Sequence, residues 1–585
     1  MTDLDAIWAD AVAAAAKALW GVELADRHRP FVEPAHDARF GDATSGVPMR
    51  LARDLKKPPP AIAKELAAKL AGVPHAAKVE AAAGYVNFTA DAAAQAELVR
   101  AVRGAPAEWG RSSLGKGVRV LVEHTSANPT GPMHIAHARQ AAVGDSLVRI
   151  LRLAGFEATS EFYVNDAGGQ IANLGRSIHA RLQEALGRPA PFDVDKDENA
   201  YKGDYIRALA GELASREPGA DPARCAAFGL ERLLAEIKDD FAAFRVGMDA
   251  WFSETALRKS GKIESMLEFF RSWGLTYAKD GATWLKSTDF GESEDRVLVK
   301  SDGEYTYRTP DSAYHRDKFD RGFDWLVDTW GPDHHAEIAN RAAAMKALNF
   351  NLLPRAEFLK ARRGGTPEQK ARCFEVLTIQ YCRLLRGGQE LTMGKRAGTY
   401  VTLRELVEEV GVDAARWFFT MRKTDSKMDF DLDVAKKQTL DNPVYYAQYA
   451  HARICSITKK GVEKGMVDAR DVRGGVWQGE FEAAHVGPEE LMLLRAVRSW
   501  PRTVERAAEN VDPSLVCIAL TDLSRAFQSY YQAGMRDASK RVLEAAVPEQ
   551  VRRARLAACA AVQVTLRAGF GLLGVSAPER LEFTE

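Results

Sequence analysis

The sequence predicts a multidomain α/β protein. A doubly wound parallel-sheet core with insertions follows a small α+β module and precedes an all-α bundle. Three observations carry this. The chain has 585 residues, enough for roughly three to four domains. From Val118 to about residue 440, short β-branched runs alternate with helical periods, the pattern of strand–helix winding around a parallel sheet. Beyond that, long amphipathic helical periods follow one another, as in a bundle. The expected parts are 1–112, 113–440 and 441–585.

Thr2 and Asp3 suit the cap of a first helix bearing Ile7, Trp8, Ala11 and Leu19. A turn through Gly41, Asp42, Ser45 and Gly46 leads to helical stretches at 48–55 and 62–70, on either side of Pro58-Pro59-Pro60. Residues 78–88 read as a strand made irregular by Gly84, and 104–117 as a turn-rich linker. Lys56, Lys57 and Lys64 suit a solvated charged face better than a phosphate contact.

The chemistry starts at the next strand, 118–122. It runs into Glu123-His124-Thr125-Ser126-Ala127-Asn128-Pro129-Thr130-Gly131-Pro132-Met133-His134-Ile135-Ala136-His137, and a helix follows to Leu153, stopping at Gly155. His134 and His137 are three apart, so they share a face once helical. A helix N-terminus at the exit of a parallel strand favours an anion. His-x-x-His alone also suits two histidines that merely satisfy a helix start. A second strand, 161–164, precedes the turn Asn165 to Gln170. Residues 190–260 read as mostly helical, with Trp251 and Phe252 as apolar anchors. Residues 281–307 read as a hairpin insertion returning to the main sheet. The strand 325–329 exits into Gly331-Pro332-Asp333-His334-His335, where no third ligand follows at metal-binding spacing.

A second chemical loop runs from Arg386 to Thr399, after a strand at 374–379 and before a helix with Thr402 and Glu405 in capping-box spacing. Its four glycines permit close approach to a ligand. Lys395 and Arg396 suit phosphoryl oxygens as point charge and planar fork, although a basic surface loop has the same composition.

Composition narrows the class. Lys plus Arg and Asp plus Glu are both 80, which argues against a polycationic nucleic-acid coat but not against local basic surfaces. The cysteines, Cys225, Cys373, Cys382, Cys455, Cys517 and Cys559, form no close pair. They suggest reduced thiols in a cytosolic protein. The acidic, alanine-rich start does not suit a signal peptide, and no stretch is expected to approach a membrane span.

At this point a resemblance is close. SANPTGPMHIAH resembles the HIGH signature of class I aminoacyl-tRNA synthetases, and TMGKRAG resembles their KMSK loop. EHTSANPTGPMHIAHARQAAVGDSL, EFYVNDAGGQI, DRVLVKSDGEYTYRTPDSAYHRDKFDRGFD, WGPDHH and DFDLDVAKKQTLDNPVYYAQYAHAR together resemble arginyl-tRNA synthetases over nearly the whole chain. The opening module is similar to that family's N-terminal add-on domain at GDATSGVPMRLARDLKKPPPAIA and AAAGYVNF.

The resemblance implies a Rossmann-like class I core that activates L-arginine with ATP and passes the arginyl group to arginine tRNA, activation itself requiring tRNA. His134, His137 and Lys395 would be catalytic. His134, Ala136, His137, Met393, Lys395 and Arg396 would bind ATP, which enters with magnesium. Glu123, Asn128, Tyr307 and Asp311 would hold arginine, with Asp311 and Tyr307 at the guanidinium end. On the bundle, Tyr446, Tyr530, Tyr531 and Arg536 would meet the anticodon, although such an aromatic stripe also suits a core. No zinc, organic cofactor, membrane or DNA is implied, and the expected enzyme is a cytoplasmic monomer. Three departures stand out. Ala136 replaces a signature glycine, while Thr392 and Gly394 replace the first lysine and the serine of the loop. Gly131-Pro132-Met133 offers no compensating lysine, so Lys395 has no substitute. The alternative is a tRNA-binding paralogue that no longer makes adenylate.

Overall fold

A computed structural model describes residues 4–25, 31–35, 38–334, 337–364, 371–391 and 401–581. The opening residues form a four-stranded antiparallel sheet backed by helices Leu4–Trp20, Val47–Leu55 and Pro59–Lys69. Trp8, fully buried, stacks on Phe88 with ring centroids 5.0 Å apart. The single strand expected over 78–88 is a hairpin instead. Ala76–Ala82 and Tyr85–Ala90 pair across Ala83 and Gly84, both at positive φ (49° and 86°), the geometry of a tight two-residue hairpin turn. A helix absent from the sequence reading, Ala92–Gly104, follows; Asp91 caps it, Oδ1 accepting from the Ala94 N–H at 2.8 Å.

The core sheet has five parallel strands: β1 (Arg119–Glu123), β2 (Glu157–Val164), β3 (Ala250–Ser253), β4 (Trp325–Trp330) and β5 (Cys373–Thr378). Their order is β5-β4-β1-β2-β3. The chain winds outward from β1 to β3, then crosses back to β4 on the other side of β1. The crevice beyond the ends of β1 and β4 is therefore the topological switch point, where ligands of such sheets bind. Trp251 and Phe252, read as anchors in a helical stretch, lie in the edge strand β3. The insertion forms its own antiparallel sheet of Thr276–Lys279, Ala282–Leu285 and Arg296–Val299, and does not join the main one.

Helix α1 (Ile135–Leu153) covers one sheet face and α2 (Arg308–Asp320) the other. α1 lies so close to the end of β1 that a Cβ on Gly144 would stand 2.2 Å from the buried His124 ring. The strand before the basic loop is Cys382–Arg386 rather than β5. It turns through Gly387 and Gly388 to pair with Gln389–Glu390, and runs parallel to Met428–Asp431.

Among the described residues from 443 onward, the regular elements are helices apart from one small hairpin, Val472–Arg473 with Val476–Trp477. Its last helix, Glu549–Leu573, is the exception to the expectation that no stretch approaches a membrane span. By length and composition it is apolar enough to cross one, yet 83% of its apolar window is buried in the bundle. That burial is what a central bundle helix requires. Arg416, fully buried, binds the end of this helix (Nε to Leu573 O, 2.6 Å), the Phe244 carbonyl (2.9 Å) and the carboxylate of Asp145 on α1. A Cβ on Gly574, which sits at φ 66°, would lie 2.4 Å from the Arg416 guanidinium carbon. All six cysteines are buried and free.

Candidate active site

The site begins where β1 ends. Thr125 and Ser126 both have positive φ (72° and 31°), a strained conformation for residues with side chains. The turn is held by Ser126 Oγ, which donates to Glu123 Oε1 at 2.8 Å and accepts from the Tyr163 N–H at 3.1 Å. His134 then caps α1. Its backbone N–H donates to His137 Nδ1 at 3.3 Å, and the two rings stack with centroids 3.8 Å apart. Because Nδ1 of His137 accepts, Nε2 is the nitrogen that carries the proton. Both imidazoles are half-buried beside the backbone N–H groups of the first turn, an arrangement that suits an anion. Ala136, also half-buried, lies in that turn.

The residues that begin the helix after the basic loop are tied to the same point. Thr402 bridges to His134, and the Leu403 N–H donates to the Met133 carbonyl at 2.9 Å. Helix α3 is Glu337–Ala347, and Thr402 and Glu405 form the expected capping box at the start of α4 (Leu403–Val410). Thr392, Met393, Gly394, Lys395 and Arg396 lie outside the described residues, as does His335. A second tie went unread in the sequence. Arg139, fully buried two residues after His137, donates to the carbonyls of Gln380 (2.6 Å), Lys423 (3.0 Å) and Ser426 (3.1 Å). It fixes the histidine helix to the segments flanking the small sheet that carries the loop. Its sequence signal is an arginine among the alanines near the start of α1.

The opposite sheet face holds a row of carboxylates. Register sets Glu161 beside Glu123 and Glu123 beside Asp328 across three neighbouring strands, and all three are buried. A row of buried acids is costly without cations. Helix α2 supplies them from one face. Lys318 donates to Glu123 Oε2 (2.6 Å) and Asp328 Oδ1 (2.8 Å), and His315 Nε2 meets Asp328 Oδ2 at 2.7 Å. Arg321, just past the end of α2, forks onto Glu161 at 2.6 and 2.8 Å, and Tyr314 donates to the same carboxylate. Burial opposes the charges of Lys318 and Asp328. Their attraction and hydrogen bonding to each other, with Glu123 acting on the lysine and His315 on the aspartate, outweigh it, raising the lysine pKa and lowering the aspartate's.

The arginine-pocket candidates gather around this row. Glu123 carries Lys318 and Ser126. Asn128 is exposed, its amide 3.2 Å from that of Asn165. Tyr307 is 65% exposed at the start of α2. Asp311 pairs with Arg341, which also lies over the Tyr307 ring at 5.7 Å. The acids in this cleft already have cations of the chain's own: Lys318 serves Glu123, and Arg341 serves Asp311. Among the described residues, no group of three or more His, Cys, Asp or Glu side chains is positioned to hold a metal ion.

The bundle candidates separate. Tyr530 is a core residue, 6% exposed, with its hydroxyl donating to Glu490 at 2.8 Å. A base has no ring face to stack on there, which corrects the expectation for this residue. Tyr446 and Tyr531 are half-buried and Arg536 is exposed. Arg453, on the same helix as Tyr446, lies 4.7 Å from both the Tyr449 and Tyr531 ring centroids and donates to Tyr531 Oη at 3.0 Å.

Two histidines are structural. Burial pushes His124 and His451 down to about 4 from the usual 6.5. Each is neutral when folded but takes a proton below pH 6.5 when unfolded. Their contribution is complete above pH 6.5 and is lost as pH falls toward 4. At pH 5 the expected loss is about 2 kcal/mol per histidine relative to pH 7. Hydrogen-exchange protection around His124 and His451, corrected for intrinsic exchange and compared at the two pH values, checks this. His124→Gln should flatten the difference, and a parent protein equally protected at pH 5 and 7 contradicts it.

Comparison with known proteins agrees over most of the chain. Residues 6–90 match the family model "Arginyl tRNA synthetase N terminal domain", 108–360 match "tRNA synthetases class I (R), catalytic domain", and 447–581 match "DALR anticodon binding domain". The arginine–tRNA ligase of Bacillus subtilis is 41% identical over 561 residues, 94% of each chain. That of Geobacillus thermodenitrificans is 42% identical over 562 residues, again 94% of each. The solved Thermus thermophilus arginyl-tRNA synthetase shares the fold, with TM-score 0.71 and 22% identity over 99% of this chain and 100% of that one. With a histidine-capped helix at the switch point and three matching family models in order, the chain belongs to the arginyl-tRNA synthetase family.

Proposed function

We propose a division of labour for the reaction this family membership implies: ATP-dependent activation of L-arginine, then transfer to the terminal ribose of arginine tRNA. The observation that carries it is the stacked His134–His137 pair at the start of α1, bridged by Thr402 to the base of the basic loop. The arginine carboxylate attacks the α-phosphorus, and the bond to pyrophosphate breaks. A ribose hydroxyl then attacks the acyl carbon, and AMP leaves. No protein nucleophile is needed, so catalysis is positioning plus stabilisation of phosphoryl charge.

In this reading His134 and His137 hold the triphosphate, supplied as its magnesium complex, with Ala136 beside the adenine. Met393, Lys395 and Arg396 close over it. Glu123 and Asn128 serve the amino-acid end of arginine, while Tyr307 and Asp311 serve its guanidinium. The parts 1–112, 113–440 and 441–585 meet the tRNA elbow, acceptor end and anticodon. Tyr446, Tyr531 and Arg536 face the anticodon loop. Adenylate forms only with tRNA bound, and the enzyme works as a cytoplasmic monomer without membrane or DNA partners. A paralogue that binds tRNA without activating arginine is not favoured, because relatives matched over 94% of the chain are ligases.

The pocket assignment is tested by Asp311→Asn and Tyr307→Phe. Charging assays should show the arginine KM rising about tenfold or more in the first, the scale of a charged hydrogen bond lost, with the ATP KM unchanged. An Asp311→Asn enzyme with parental arginine KM contradicts it.

A further inference from the structure

The cleft holds a guanidinium of its own. Arg341, on α3, is 2% exposed, pairs with the Asp311 carboxylate and lies over Tyr307 at 5.7 Å. A carboxylate and an aromatic face are what the guanidinium of a substrate arginine would need. Burial pulls the Arg341 pKa down to about 10, so it stays charged at neutral pH and needs an anion beside it.

It also has somewhere else to go. Glu337, one turn earlier on α3, has a carboxylate oxygen 3.8 Å from Arg341 Nη2 and keeps 30% of its side chain exposed. The same oxygen is 3.8 Å from Arg308 Nε and accepts from Asn340 Nδ2 at 3.4 Å. A change of rotamer therefore exchanges one acid for another without stranding the cation.

We propose that Arg341 is a specificity-determining residue: it occupies the guanidinium end of the arginine subsite in the empty enzyme and turns to Glu337 when arginine takes Asp311. This rests on the reading of Asp311 and Tyr307 as the guanidinium end. Arginine then binds by exchange, like for like. A lysine ammonium lacks the planar fork needed to replace a stacked guanidinium on a carboxylate. Occupancy by Arg341 thus costs affinity for arginine but disfavours lysine further.

Equilibrium dialysis of labelled L-arginine against the full-length enzyme, with arginine tRNA and without ATP, tests it. Arg341→Met should bind arginine about tenfold tighter, and its lysine binding should rise. Glu337→Gln, which removes the alternative acceptor, should bind arginine about threefold to tenfold more weakly, the scale of one partly buried ion pair. A merely structural Arg341 predicts weaker binding in both variants. Unchanged or weaker binding in Arg341→Met, or parental binding in Glu337→Gln, overturns the proposal. Asp311→Asn separates the two layers. If it binds arginine normally, the pocket reading fails and takes the proposal with it. If it loses binding while Arg341→Met gains none, only the role given to Arg341 fails.

Discussion

His137→Ala should lower arginine activation about 100-fold, the usual scale for removing one donor to developing phosphoryl charge. His134→Ala should lose a comparable factor. The two rings stack at the N-terminus of α1, and the His134 N–H fixes the tautomer of His137 through its Nδ1. Alanine at 137 removes both the Nε2–H donor and that cap contact. Alanine at 134 keeps the backbone donor and removes only the imidazole. Both rings are half-buried, so neither change should unfold the protein. Single-turnover activation with saturating arginine and tRNA, beside a thermal melt, separates chemistry from stability. Parental rates in either variant would remove that histidine from the reaction.

Arg416→Met should be the most destabilising single change outside the apolar core, at about 3–5 kcal/mol, the cost of leaving a buried charge partner and carbonyls behind. Asp145 would keep the Arg149 Nε–H (2.8 Å) and the Gly247 N–H (3.2 Å) but lose its buried cation. The carbonyls of Leu573 and Phe244 would lose their donor. Methionine fills the space without any of these bonds, and lysine cannot reach three acceptors from one fork. The chain has several cores, so one global unfolding energy is not defined. The fitting measurement is hydrogen exchange along Glu549–Leu573 and α1, where protection should fall together. Unchanged protection in both helices would contradict the linkage.

Much of this was legible in the sequence because it is local. The β1–turn–α1 unit shows as a β-branched run, turn residues and a helical period; the Thr402–Glu405 capping box is a spacing of three. The bundle shows through repeated amphipathic helices. What stayed hidden depends on register or on distance. Glu123, Glu161 and Asp328 come from separate strands and become a row only once the strands are aligned. Without that row, the one-sided face of Tyr314, His315 and Lys318 on α2, with Arg321 beyond it, has no meaning. Strand β3 is four residues long, too short to show a period of two. Arg139 and Arg416 look like surface cations until their carbonyl partners are in view. By sequence, a bundle aromatic such as Tyr530 fits a core stripe better than an RNA-stacking one, and its burial places it in the core.

The most direct test is arginine-dependent exchange of labelled pyrophosphate into ATP, with and without arginine tRNA, with lysine and cysteine as controls. Exchange with arginine alone among the three, and only in the presence of the tRNA, is the predicted result. No exchange with arginine under either condition, while tRNA still binds, would contradict the proposed chemistry.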